Sequence, residues 1–183
     1  MNLRERWIDY LYRAATGTQQ YRSSRTPIGL AIFGLFTSLF VVLAIIVDKA
    51  QNLPWPVPHN FSWAIAYALM AIGLAMLIWT DFYFRKSRGT PVPVNPPQSL
   101  VTGGPYKFVR NPMLMGVYLS MFGLGFAMRS LSLVVVFVPL YALAHTWELK
   151  HIEEPELVKR FGGEFLAYRE RTPMFVPRFR LKR

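Results

Sequence analysis

The chain contains no cysteine among its 183 residues, which excludes disulfides, thiolate metal sites and a cysteine nucleophile. Histidine is scarce as well. His59 falls across the hydrophobic runs from His145 and His151, so no metal site is expected. Acidic residues are few, 10 Asp and Glu against 21 Lys and Arg, for a net charge of +11. In a soluble protein that excess would point to nucleic acid. Here it lies outside long apolar runs, where the positive-inside bias of membrane proteins accounts for it and no nucleic-acid partner is implied. No secretory leader is expected, since the first 25 residues carry five arginines and no continuous apolar core.

What the sequence has in quantity is hydrophobic residues, 52% of the chain. Ile28 to Val47 is an uncharged run of about 20 residues, enough to cross roughly 30 Å of hydrocarbon. Phe61 to Thr80 is a second, with Trp63 and Trp79 at its ends as interface anchors. Met113 to Met128 and Leu131 to Trp147 are two shorter stretches separated by Arg129-Ser130, which fits a tight helical hairpin with Arg129 snorkelling at its tip. Gly116, Ser120, Gly123, Gly125 and Ala127 offer small residues for close helix packing. The expected architecture is an all-α integral membrane helical bundle of about four spans, the last two a hairpin.

Three regions follow. Residues 1–27 form an N-terminal segment with Leu3, Trp7, Tyr10, Leu11 and Ala14 at helical spacing, as in an amphipathic helix lying in the headgroup region. Residues 28–88 hold the first two spans. Residues 89–183 hold a proline-rich connection, a turn-rich loop, the helical hairpin and a C-terminal tail that opens on an acidic pair. Arg4, Arg6, Arg13, Arg22 and Arg25 precede the first span, and Arg85, Lys86, Arg88, Lys107 and Arg110 occupy the middle connection. Lys150, Lys159, Arg160, Arg169, Arg171, Arg178, Arg180, Lys182 and Arg183 follow the last, leaving Lys49 and Arg129 on the other side. Both termini and the middle connection are therefore expected in the cytoplasm of a multi-pass protein, in a bacterium its inner membrane. The tail reads as one helix from Glu153 to Phe161, a break at Gly162-Gly163, and a second from Glu164 to Arg171. Leu157, Phe161, Phe165 and Tyr168 make an apolar stripe that would fold it back.

Two polar clusters face the cytoplasmic rim. Gly103-Gly104-Pro105 forces a turn, Tyr106, Arg110 and Asn111 follow it, and Pro112 opens a helix whose positive end, beside Arg110, suits an anion. Glu153-Glu154 lies just past the last span. A ligand carrying an amine, an anion and ribose hydroxyls matches that polarity. Plainer roles exist too: Arg110 as a phosphate anchor, Glu153-Glu154 as acids in a helix's first turn, His145 as a hydrogen-bonding group within the bundle. Glu148, one turn before the acidic pair, faces either the same site or water.

Gly104-Pro-Tyr-Lys-Phe-Val-Arg-Asn-Pro-Met-Leu-Met-Gly116 resembles the Gly-Pro-Tyr…Arg-His-Pro-x-Tyr-x-Gly signature of the isoprenylcysteine carboxyl methyltransferase and phospholipid methyltransferase superfamily. Glu153-Glu154…Leu157…Phe161-Gly162…Phe165…Tyr168…Pro173…Pro177 is similar to its C-terminal block. The signature His is Asn111 here, its Tyr is Leu114, and Phe165 stands where Tyr is usual. The resemblance implies S-adenosylmethionine as methyl donor, held by Gly104, Tyr106, Arg110, Asn111, Pro112, Gly116, Glu153 and Glu154. Arg110, Asn111 and Tyr106 would be nearest the chemistry. It also implies membrane lipids as surroundings and a lipophilic small molecule or lipid-modified group as acceptor. Asn cannot carry a proton at neutral pH, so an isoprenylcysteine-like carboxylate, which needs no base, is the first expectation; a phospholipid amine or small thiol is the alternative. A nicotinamide-dependent membrane reductase and a non-catalytic membrane adaptor are the rivals from other classes.

Overall fold

The computed structural model describes residues 2–87, 89–90 and 93–177. Of the basic residues counted above, Arg88, Arg178, Arg180, Lys182 and Arg183 lie outside the described residues. Every element among the described residues is helical.

Helix α1, Leu3–Thr16, starts with a capping box: the Asn2 side chain accepts from the Glu5 N–H and the Glu5 carboxylate accepts from the Asn2 N–H, each at 2.9 Å. Gly17 ends it, and Thr18 caps α2, Gln19–Gln51, by accepting from the Tyr21 N–H at 3.3 Å. The boundary expected near residue 27 is thus displaced. The Gly17-Thr18 break leaves Gln19 to Thr26 as a polar extension of the first long helix, with Pro27 inside it. Helix α3 is His59–Lys86 and α4 is Pro112–Met128. Helix α5, Leu133–Phe161, is followed by the short α6, Gly163–Arg171. Helices α2, α3 and α5 are long and apolar enough to cross a membrane, while α4 is a shorter apolar helix of 17 residues.

The principal partner of α4 is α3. A Cβ on Gly116 would sit 2.8 Å from the Gly73 carbonyl oxygen, one on Gly73 2.7 Å from the Gly116 carbonyl oxygen, and one on Gly123 3.0 Å from that of Ala66. The two backbones therefore touch, as small-residue seams allow. Gly116→Val is expected to force the helices apart and destabilise the bundle by about 1–3 kcal/mol. A thermal melt in detergent that matches wild type would count against this seam.

At the far end of α4, Arg129 adopts the left-handed conformation (φ 55°), and its N–H bonds back to Gly125 and Phe126. Asp48 at the end of α2 receives the Ser132 N–H at 3.0 Å and the Ser130 hydroxyl, tying this exposed tip to the first long helix.

Two π turns interrupt α5, at Leu133–Phe137 and Leu149–Glu153. Each is followed at once by a short stretch with proline as its second residue, Pro139 and Pro155. Proline lacks an N–H and crowds the carbonyl four residues back, and a widened turn relieves both problems. The carbonyl that Pro155 leaves unbonded is that of His151, and it accepts from Arg4 Nε of α1 at 2.8 Å. Because the turn absorbs Pro155, the tail helix does not begin afresh at Glu153; it continues the last long helix without a break. At Gly162 (φ 55°, ψ −129°), a conformation that favours glycine, the chain reverses. Phe165 and Tyr168 of α6 then pack with Tyr106, Phe84, Leu100, Leu157 and Phe161, so the stripe seen in the sequence does fold back.

Candidate functional site

Gly104 begins the signature turn at φ +57°, and a Cβ there would lie 2.3 Å from the Tyr83 ring. The 3-10 turn Gly104–Lys107 buries Tyr106, whose carbonyl accepts from the Tyr168 hydroxyl at 2.8 Å. Burial first, then the nearby charges of Glu153 and Tyr168, holds the Tyr106 phenol well above its usual range. It is a neutral hydrogen-bonding group at physiological pH.

Arg110 is a clamp. Its Nη2 donates to Glu154 Oε1 at 2.6 Å, and its Nη1 donates to the Thr172 carbonyl at 2.6 Å and that of Arg169 at 3.1 Å. The two ion-pair side chains are only 12% and 13% exposed. The Arg110 and Asn111 N–H groups also bond the carbonyls of Pro173 and Met174, at 2.8 and 3.2 Å. The expected separation of a cation on one side from carboxylates on the other is therefore not what forms. Arg110 and Glu154 hold each other, and the tail crosses the signature turn.

Two cavities meet here. The smaller, of about 120 Å³, has an apolar floor of Leu100, Val101, Leu157, Phe161, Phe165 and Tyr168 and a polar side of Glu153, Glu154, Glu156 and Arg160. The larger, of about 450 Å³, runs between α2 (Gly29, Leu30, Phe33, Phe36), the start of α4 (Met113, Leu114) and α5 (Ala144, His145, Glu148). Phe84, Tyr106, Arg110, Asn111, Leu149 and Glu153 line both. Among the described residues the Glu153 side chain makes no hydrogen bond or ion pair. An unpartnered acid thus stands at the junction.

Tyr106, Arg110, Asn111, Glu153 and Glu154 line one cavity. Gly104, Pro112 and Gly116 line neither cavity: Gly104 meets Tyr83, Pro112 is buried, and Gly116 belongs to the seam with α3. His145, Glu156 and Arg160 are the residues that sequence reasoning left out of the site, and Glu148, left between the site and water, lines the larger cavity. The π turn explains part of this. Residues five apart on a regular α-helix lie about 140° apart around the axis, whereas the wider turn swings Glu148 and Glu153 onto one wall. Proline 155 after an acidic pair was the visible signal. Among the described residues no group of three or more His, Cys, Asp or Glu side chains is arranged to hold a metal ion.

The donor set fits S-adenosylmethionine in kind. An apolar floor suits an adenine ring, and an unpartnered acid at the cavity junction suits a cation once ionised.

An acid-lined cleft at the end of the helical bundle thus adjoins a larger cavity between its helices. The phospholipid methyltransferase family model matches residues 61–164, more than half of the chain. The chain belongs to that family, within the isoprenylcysteine carboxyl methyltransferase-like group of membrane methyltransferases. It is 28% identical over 150 residues to the nickel-cobalt-cadmium resistance protein NccN of Alcaligenes xylosoxydans xylosoxydans, covering 78% of this chain and 62% of that one. It is 36% identical over 121 residues to the cobalt-zinc-cadmium resistance protein CzcN of Cupriavidus metallidurans, covering 65% and 51%. The chain thus spans less than two thirds of the length of either relative. No solved structure matches it significantly.

Proposed function

We propose that the protein transfers a methyl group from S-adenosylmethionine to a lipophilic acceptor at the membrane face. The observation that carries this reading is the meeting of the two cavities at Tyr106, Arg110, Asn111 and Glu153. The donor, when bound in the smaller cavity, supplies an electrophilic methyl on a sulfonium. The chain supplies position and dryness, which serve an in-line displacement well. The Arg110–Glu154 clamp fixes the wall, Glu153 attracts the cation, and Tyr106 stays neutral beside it. The acceptor enters sideways through the larger cavity, whose α2 wall is formed by Gly29, Leu30, Phe33 and Phe36. Of the departures from the motif blocks, Leu114 lines the larger cavity, Phe165 the smaller and Asn111 both, so Leu114 bears on the acceptor, Phe165 on the donor and Asn111 on their junction.

In this reading four helices cross the bilayer, the shorter α4 included, with the site on the cytoplasmic side. Helix α1 lies in the interface: its inner face holds α5 through Asp9–Lys159 at 2.5 Å, and Leu3, Trp7 and Tyr10 are exposed on the other. The metal-resistance names of the relatives give a setting, modification of a membrane component in cells exposed to metal.

Calorimetry of S-adenosylhomocysteine with the detergent-purified protein tests the reading. One-site saturable binding is expected. A folded protein that does not bind it, or that binds a reduced nicotinamide dinucleotide instead, would return the reductase or adaptor alternatives.

A further inference from the structure

We propose that the N-terminal turns of α1 bind anionic phospholipid of the surrounding leaflet, and that this contact steadies one wall of the smaller cavity; the second half rests on the methyltransferase reading above. Helix α1 runs alongside the end of α5. Arg4 Nε donates to the His151 carbonyl at 2.8 Å and Asp9 meets Lys159 at 2.5 Å, so the two helices point the same way. The start of α1 is therefore level with His151. The His151 ring stacks on Trp147, at the end of the last apolar run, with centroids 5.0 Å apart. An exposed tryptophan closing an apolar run marks the depth of the lipid headgroups.

At this depth α1 presents apolar and cationic groups together. Leu3 and Trp7, 71% and 51% exposed, form one open groove with Arg6 and Tyr10. Arg25 of α2 donates to the Tyr10 hydroxyl at 2.8 Å and adds a cation at the groove's far end. Arg4, Arg6 and Lys150 are exposed, and among the described residues none of them has an acidic partner. The two acids of α1 are engaged: the Glu5 carboxylate accepts from the Asn2 N–H, and Asp9 holds Lys159. Unpaired cations beside an apolar groove at headgroup level suit a lipid whose phosphate carries an uncompensated charge. A zwitterionic headgroup brings its own cation and gains little.

The opposite face of α1 belongs to the site. Leu11 lines the smaller cavity, Ala14 and Ala15 are buried, and Lys159 lies 4.6 Å over the Tyr12 ring. The His151 carbonyl held by Arg4 is part of the π turn that carries Glu153 to the cavity junction. Lipid on the outer face of α1 thus steadies, through Arg4 and Leu11, the wall that meets the donor. Donor affinity then depends on the charge of the leaflet.

The test uses the full chain in nanodiscs of phosphatidylcholine, alone or mixed with phosphatidylglycerol. With the anionic lipid, amide hydrogen exchange of residues 2–17 is expected to slow, and S-adenosylhomocysteine to bind more tightly, each by about 5-fold or more. Arg6→Gln combined with Lys150→Gln changes two exposed side chains that line neither cavity. The pair should abolish both responses and leave the values in phosphatidylcholine as in wild type. Exchange that is equal in the two discs, or that slows as much in the double variant, overturns the proposal. Glycerol phosphate added to phosphatidylcholine discs should change nothing; if it reproduces the slowing, a soluble anion fills the groove and the lipid assignment falls. Slowed exchange with unchanged S-adenosylhomocysteine affinity overturns the coupling to the cavity. Exchange that responds as expected in a protein that binds no S-adenosylhomocysteine in either disc would instead remove the methyltransferase reading and keep the lipid contact.

Discussion

Arg110→Ala is expected to cost about 3–5 kcal/mol of folded stability, because it strands a buried carboxylate. Glu154 is only 13% exposed and would keep just Arg169, at 3.6 Å and itself 43% exposed. The same substitution releases the carbonyls of Arg169 and Thr172 from the guanidinium, so the tail loses its hold on the signature turn. Glu154→Gln is milder: its amide oxygen still accepts from Arg110, and only the charge is lost, at about 1–2 kcal/mol. Paired replacement by Met at 110 and Leu at 154 should recover much of the loss, since removing both charges leaves neither buried alone. Chemical unfolding and trypsin cleavage after Arg169 or Arg171 read these differences. Equal stability of wild type and Arg110→Ala would mean the clamp carries no weight. From sequence, Arg110 and Glu154 looked like opposite ends of a ligand site, and cofactor affinity was the quantity their loss should change; with the two in contact, folding becomes the first quantity to fall.

Much of the fold was legible because membrane spans announce themselves by length. The runs at Ile28–Val47 and Phe61–Thr80 lie inside α2 and α3, and the stripe of Leu157, Phe161, Phe165 and Tyr168 packs around Tyr106. The break at Gly17-Thr18 was missed because hydropathy falls gradually through Gln19 to Thr26, whereas the helix start is set by a local cap. The continuity of α5 was missed for a subtler reason. Pro155 reads as a helix start, yet a π turn lets the helix run through it, and Arg4, from the other end of the chain, satisfies the carbonyl set free. The site shows the same division. Tyr106, Arg110, Asn111, Glu153 and Glu154 could be collected from motif blocks, but whether Arg110 meets a ligand or Glu154 is a matter of side-chain geometry that spacing does not encode. His145 lay inside a hydrophobic run, where a lone histidine has no pattern to distinguish it.

Glu153 offers the largest expected effect on function. It is the unpartnered acid at the junction of the cavities, where the proposed function has the methyl pass from donor to acceptor. S-adenosylmethionine and S-adenosylhomocysteine differ there by one charge, the sulfonium against a neutral thioether, and share their amine, carboxylate, ribose and adenine. If Glu153 faces the sulfur, Glu153→Gln should weaken S-adenosylmethionine by about 1.5–3 kcal/mol, roughly 10- to 150-fold, and leave S-adenosylhomocysteine nearly untouched. If it faces the shared amine, both ligands should weaken alike, which would move the sulfur elsewhere. An isosteric amide keeps the wall's shape, so packing is not the variable. The sign with pH is also fixed: only the ionised carboxyl attracts the cation, so wild-type affinity for S-adenosylmethionine should rise with pH as Glu153 loses its proton, and the rise should vanish in the variant. Product and substrate binding would then diverge at higher pH, with the charged donor held and the neutral product let go. Under the proposed function, an ionised Glu153 would then do two things, holding the reactive group in line before transfer and favouring its exchange afterwards.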